Sequence, residues 1–286
     1  MLIERLAVIG VGLIGGSLAL ALKQAQQCGT VIGCGRNPAN LDTAVALGVI
    51  DSYSTSLSEA VTGADMVVLA VPLGSMRDTF AAIRPHLAPQ AIITDVGSAK
   101  ASVVQAAQAE LGTHFPRFVA GHPIAGAEKS GAQAAQADLF KNRRVILTPT
   151  SDTEPSAHAR VTQMWRETGA AVEDMEMAHH DAILAATSHL PHMLAYALVD
   201  LLAQSASHSE IFRYAAGGFR DFTRIAASDP QMWHDICVAN RDPLVQILTA
   251  YEAHLHQLTQ AIQAGDGPQI KALFQRAKQT RDQING

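Results

Sequence analysis

Residues 6–16 constrain the fold of this chain more than any other stretch. An apolar run, Leu6-Ala7-Val8-Ile9, leads into Gly10-Val11-Gly12-Leu13-Ile14-Gly15-Gly16, and an apolar helical pattern continues through Leu22. Glycine at 10 permits a tight turn. Glycine at 12 lets the backbone approach a pyrophosphate, and glycine at 15 lets the helix lie close against the strand. The start of that helix offers the unpaired N–H groups of Leu13 and Ile14, and the positive end of its dipole, to phosphate oxygens. Strand, glycine turn and helix in this order predict a dinucleotide site built from Gly10, Gly12, Leu13, Ile14 and Gly15. A membrane or export reading of residues 6–22 fails, because glycines interrupt the stretch and it falls short of the roughly 18 residues a span needs.

The rest of the first half repeats the strand–helix alternation. Apolar runs at 30–34, 66–71, 91–95, 118–120 and 145–147 predict strands, followed by a helix at 157–167 and a strand at 170–175. Continuous apolar runs separated by helical stretches imply a parallel sheet covered on both faces. The fold class is therefore α/β: a Rossmann-type dinucleotide-binding domain over residues 1–175, followed by an all-α domain over residues 176–286. In that second part, residues 179–204 form one long helical pattern that Pro191 is expected to kink. Asp181, Ser188 and His192 fall on one stripe of it, with His189 about a quarter-turn away. Asp229-Pro230 and Asp242-Pro243 read as N-cap and first helical residue, the former opening a helix that carries Trp233. Leu244, Leu248, Tyr251, Leu255, Leu258 and Ile262 make a seam that packs on another helix, in the same subunit or a twin, and a homodimer through the helical domain is expected.

Composition narrows the function classes. With 48% hydrophobic and 16% charged residues the chain reads as compact and soluble, and a net charge of −5 argues against nucleic acid or an anionic membrane as partner. Cys28, Cys34 and Cys237 form no paired motif and fit reduced thiols in a cytoplasmic protein. No zinc-type arrangement surrounds His189 and His192, so no metal is expected. NAD-specific folds place a carboxylate at the end of the second strand, whereas this chain reads Gly33-Cys34-Gly35-Arg36-Asn37. Arg36 would suit a 2′-phosphate and favours NADP; a solvated Arg36 at a site accepting NAD as well stays open. Downstream, His122 stands before Pro123 in Gly121-His122-Pro123-Ile124-Ala125-Gly126, with Glu128 close behind. A proline narrows the backbone freedom of the residue before it, so the imidazole has a defined direction. A base facing a cofactor is one reading, and a histidine capping a turn is the other.

Five segments together carry a resemblance. They are Gly12–Leu18 (Gly-Leu-Ile-Gly-Gly-Ser-Leu), Thr94–Lys100 (Thr-Asp-Val-Gly-Ser-Ala-Lys), Gly121–Gly126, Ser188–His192 (Ser-His-Leu-Pro-His) and Gly217–Ala226 (Gly-Gly-Phe-Arg-Asp-Phe-Thr-Arg-Ile-Ala). In order and spacing the chain resembles the prephenate and arogenate dehydrogenases, the cyclohexadienyl dehydrogenases of tyrosine biosynthesis. The resemblance implies oxidative decarboxylation of prephenate or arogenate with hydride transfer to NAD(P). It implies His122 as general base, Ser98 as the residue orienting it, and Arg224 as partner of a substrate carboxylate. It further implies His192 beside the substrate, His189 beside the cofactor, and Glu128, Asp181 and Trp233 at positions that close the pocket. Two alternatives stay open: another two-domain dehydrogenase, such as a 3-hydroxyacid enzyme, or a non-catalytic NADP-binding regulator.

Overall fold

A computed structural model describes residues 1–126 and 131–284; Glu128, expected at the pocket, lies outside the described residues. The first elements are β1 (Ile3–Ile9), α1 (Leu13–Gln24), β2 (Cys28–Cys34), α2 (Pro38–Ala46), β3 (Ser52–Ser54), α3 (Leu57–Val61) and β4 (Met66–Leu69). They continue with α4 (Met76–Ile83), β5 (Ile92–Asp95), α5 (Ala101–Glu110), β6 (Phe118–Val119), β7 (Gly121–Pro123), β8 (Arg144–Leu147), α6 (Pro155–Glu167) and β9 (Ala171–Asp174). Helices follow: α7 (Met177–Leu184), α8 (Leu190–Ala203), α9 (His208–Arg213), α10 (Gly217–Thr223), α11 (Pro230–Ala239), α12 (Arg241–Gln263) and α13 (Gly267–Ile284).

β3-β2-β1-β4-β5-β6 form a parallel sheet in which the chain order reverses between β1 and β4. Ligands of such sheets bind outside the carboxyl ends of the strands at that reversal, where Gly10 and the segment after Leu69 meet. Alternation along β1 explains why both faces are covered. Leu6 and Val8 join Leu18, Leu22 and Trp165 on one side, while Ala7 and Ile9 join Leu69, Phe80 and Phe118 on the other. Burying each such large side chain stabilises the fold by about 1.5–3 kcal/mol.

The sequence pattern predicts a single continuing series of strands, and here the structure differs. After β6 the chain passes through Ala120 and changes sheets. β7 pairs antiparallel with β8, and β8 pairs parallel with β9, in a separate three-stranded sheet. His122 lies inside β7, opposite Ile146, so it is a strand residue and not a turn cap. Strand β3, too short and polar to show in the apolar pattern, completes the edge of the parallel sheet.

Pro191 does not simply kink one helix. It falls in the first turn of α8, and residues Ala185–His189 just before it form a π-helical turn. Proline lacks an N–H and clashes with the preceding turn, and a widened turn accommodates both defects. Asp229 caps α11 as expected, accepting from the Met232 N–H at 2.7 Å. Asp242-Pro243 instead falls within the first turn of α12.

The chain divides into two compact units, Met1–Arg241 and Asp242–Gly286. The first contains both sheets and the helices through α11. The second holds nearly all of α12 together with α13, where Tyr251, Leu255, Ile262 and Phe274 are exposed.

Candidate active site

The site starts from a buried ion pair at the end of β5. Asp95 and Lys100 have fully buried side chains, and Lys100 Nζ donates to Asp95 Oδ2 at 2.5 Å. The same ammonium donates to the Gly121 carbonyl at 2.6 Å, while the Gly121 N–H donates to Asp95 Oδ1 at 3.1 Å. Asp95 Oδ2 also accepts from the Gly97 N–H at 2.7 Å. The pair thus ties the loop after β5 to the residue immediately before His122. Burial pulls the Lys100 pKa below its ordinary value, and the Asp95 carboxylate opposes that. Removing one member of a buried pair leaves the other uncompensated, a cost of about 3–5 kcal/mol. Ser98 sits half-buried in this loop, between Gly97 and Lys100.

Behind His122 runs a chain of buried polar groups. His122 Nδ1 lies 2.9 Å from His180 Nε2, and His180 Nδ1 lies 2.8 Å from Asp181 Oδ1. Asp181 also accepts from the main-chain N–H groups of Lys100 at 2.8 Å and Ala101 at 2.9 Å. These bonds hold the Asp181 pKa low against the upward push of burial, so it stays a carboxylate. A carboxylate only accepts, so His180 Nδ1 carries a proton toward it. With that proton on Nδ1, the Nε2 of His180 is left as an acceptor, and His122 donates to it from Nδ1. The lone pair of His122 is left on Nε2. Burial, followed by the Lys100 charge, depresses the His122 pKa well below 6.5, so the imidazole rests neutral and able to take a proton.

Asp181, expected with the groups that close the pocket, has both its carboxylate oxygens engaged behind His122. The helical stripe had also linked it to His192. Asp181 bonds to the start of α5, however, and the π turn at Ala185–His189 alters the helical phase between it and His192.

A second group gathers around Trp233 on α11. The His192 ring stacks on the indole at 3.7 Å between centroids, and the His189 ring meets it edge-on at 6.0 Å. His192 Nδ1 donates to the Ser188 carbonyl at 2.8 Å. Its pKa is lowered chiefly by burial, with the Ser188 bond opposing and the Arg224 charge adding to the decrease. The field of Arg224 therefore reaches His192, although Arg224 is itself exposed at the start of a 3-10 turn after α10. His189 is buried, and its Nδ1 lies 3.0 Å from Asn240 Nδ2. That amide also donates to the Asp181 carbonyl at 2.9 Å.

The glycine turn fits a dinucleotide. Gly10 has φ +98°, and a Cβ there would fall 2.2 Å from the Ala70 carbonyl oxygen. At Gly15 a Cβ would fall 2.3 Å from the Gly10 carbonyl oxygen, whereas at Gly12 it would meet open space. Gly12 is the N-cap of α1 and no side chain caps that end among the described residues, so the N–H groups of Leu13 and Ile14 remain available to phosphate. Arg36 is exposed just past β2, and Asn37 beside it caps α2.

Sequence reasoning singled out neither His180, Asp95 nor Asn240, and named Lys100 only within a motif. The adjacent His180-Asp181 pair is a local signal that could have pointed to the chain behind His122.

A parallel sheet with a glycine turn at its reversal point, a buried neutral histidine at the neighbouring strand ends and a helical half beyond define a dinucleotide-dependent oxidoreductase. Residues 18–174 match the prephenate dehydrogenase nucleotide-binding domain, and residues 176–276 match the prephenate dehydrogenase dimerization domain. The chain belongs to the prephenate dehydrogenase family. It is 39% identical over 280 residues to the cyclohexadienyl dehydrogenase of Zymomonas mobilis, covering 97% of this chain and 95% of that one. A crystal structure of prephenate dehydrogenase from Aquifex aeolicus, in complex with hydroxyphenyl propionate and NAD+, superposes with a TM-score of 0.92 at 36% identity and covers 98% of each chain. Synechocystis arogenate dehydrogenase gives a TM-score of 0.82 at 30% identity, covering 98% of this chain and all of that one (100%).

Proposed function

We propose that this protein oxidatively decarboxylates prephenate, arogenate or both, in tyrosine biosynthesis. The observation that carries the reading is the buried chain from Asp181 through His180 to His122, which leaves a neutral His122 with its lone pair on Nε2. In the reaction, His122 takes the proton of the C4 hydroxyl while hydride leaves C4. The ring carboxylate departs as CO2; its bonding electrons complete an aromatic ring and leave the C4 oxygen as a phenolate, to which His122 returns the proton. Bound NAD(P) supplies the hydride acceptor, held by Gly10, Gly12, Leu13, Ile14 and Gly15. The product is 4-hydroxyphenylpyruvate from prephenate and tyrosine from arogenate.

The other roles are those the resemblance implies. Ser98, on the loop anchored by Asp95 and Asp181, orients the base. Arg224 binds a substrate carboxylate, a task suited to the fork of a guanidinium. His192 and Trp233 form one wall as a stacked pair, His189 serves the cofactor, and Glu128 keeps the pocket-closing role that the resemblance implies. Arg36, with no carboxylate at the end of β2, favours NADP over NAD. We assign residues 1–175 to cofactor binding and 176–286 to substrate binding and dimerisation, a division that the spans of the two matched family domains support.

A homodimer in the cytoplasm fits the surface. The helical run Met177–Ala203 is long and apolar enough to cross a membrane, and only 22% of its most apolar window is buried within one chain. It also carries His180, Asp181 and His189 of the site, so we read its open apolar flank as a face for a second copy and not for lipid.

The test is reduced-nicotinamide absorbance with purified protein, crossing prephenate and arogenate with NAD and NADP. Turnover in at least one pairing is expected, faster with NADP. Dinucleotide binding without turnover in any pairing would make the protein a non-catalytic binder.

A further inference from the structure

Asn240 closes α11, is 1% exposed, and lies 51 residues from His189 and 59 from Asp181 in sequence. Its amide orientation follows from its neighbours. The Asp181 carbonyl can only accept, so the atom 2.9 Å from it is the amide nitrogen. That nitrogen has a second hydrogen, and His189 Nδ1 stands 3.0 Å away to receive it. A ring nitrogen that receives a hydrogen bond carries no proton, so neutral His189 carries its proton on Nε2. This Nε2 is buried and has no protein partner among the described residues; the indole Nε1 of Trp233 beside it is in the same condition. Buried N–H groups are as a rule paired, so two left open side by side in a binding region mark acceptors that arrive with a ligand.

We infer that Asn240 is a positioning residue that locks His189 as an Nε2–H donor to an oxygen acceptor of a bound ligand. The inference rests on the reading of this region as the binding site. The acceptor belongs either to the dinucleotide or to the ring substrate. The groups facing His189 agree with a ring that stays neutral: burial, His180 and His192 lower its pKa to about 4, against an opposing pull from Asp181. Asp181 serves both histidine systems, each through different atoms. The Asp181 side chain sets the proton on His180, and its main-chain carbonyl sets the amide of Asn240.

The test reads the proton directly. Full-length protein labelled with 15N-histidine, free of substrate and cofactor, is examined by long-range 1H–15N correlation, with His189→Ala identifying the His189 signals. The expected pattern is an unprotonated Nδ1 and a protonated Nε2. A proton on Nδ1 overturns the proposal. Because no ligand is present, this result is independent of which substrate is turned over. Asn240→Asp reverses the polarity of the bond, and Asn240→Ala, which only removes the donor, serves if the aspartate variant fails to fold. Asp should move the proton to Nδ1; Ala should leave the two neutral forms exchanging. Either should weaken binding about tenfold, the equivalent of one lost hydrogen bond. The loss is read as Kd for NAD+ and NADP+ alone and as KM for prephenate, and the arm that moves names the ligand. In a His189→Ala background the Asn240 substitution should add nothing. An equal loss in both backgrounds overturns the proposal, because Asn240 would then act without His189.

Discussion

His122 and His189 are both buried histidines of the proposed site, and each has its Nδ1 within 3.0 Å of one polar partner. They present opposite chemistry at Nε2. Behind His122 the chain of bonds ends on a carboxylate, which can only accept, so every proton shifts inward and Nε2 is left as a base. Behind His189 stands an amide N–H, which only donates, so Nε2 keeps a proton. Burial suppresses the charged form of both rings. What separates a proton acceptor from a hydrogen-bond donor is therefore the last group behind each ring, one carboxylate or one amide.

The harshest way to break this contrast is to remove the acceptor. His122→Asn should reduce kcat by roughly 10²–10⁴-fold, the contribution of a general base. Turnover near that of the parent would place the base elsewhere. Asp181→Asn sharpens the comparison, because it keeps the main-chain carbonyl that Asn240 uses while removing the carboxylate. It should lower kcat by about 10²-fold through a misplaced proton on His180 and His122, while the His189 nitrogen signals stay as in the parent. Altered His189 signals would mean that the two systems are not separable. Arg224→Ala touches neither ring's proton and should raise KM for the ring substrate by about tenfold with a smaller change in kcat. An unchanged KM removes Arg224 from carboxylate binding.

The smallest effect is on stability against pH. The folded pKa of His189 is lowered from 6.5 to about 4, so between those values the unfolded chain takes up a proton that the fold refuses. Its contribution is complete above pH 6.5 and declines as pH falls toward 4, by about 1.4 kcal/mol per unit. His122, depressed in the same direction, adds to the decline. Urea midpoints between pH 7 and pH 4 should fall accordingly, and His189→Asn should flatten part of the slope. A slope unchanged in that variant would mean that the ring charges freely in the fold.

The glycine turn was legible because its physics is local. Gly10 must adopt φ +98° and must clear Ala70, and the residues that announce this are consecutive. The two-domain order was legible for the same reason, since strand and helix periodicities are read within a dozen residues. The switch of sheets at Ala120 was not. β6 and β7 are segments of two and three residues separated by one residue, and only pairing with Arg144–Leu147 tells them apart. Pro191 signalled a disturbance in the helix but not its form, because whether a proline bends a helix or is taken up by a π turn depends on what packs around it.

The site divides along the same line. The sequence by itself determined the glycine turn and helix start at 10–15, and through the resemblance it nominated the side chains of Ser98, His122, His189, His192 and Arg224 for the proposed site. Only the tertiary structure decided how protons are arranged among them. His122 and His180 are 58 residues apart, and Asn240 and His189 are 51 apart. The direction of a hydrogen bond is fixed by which partner can accept and which must donate, and no periodicity or spacing records that until the fold places the partners side by side.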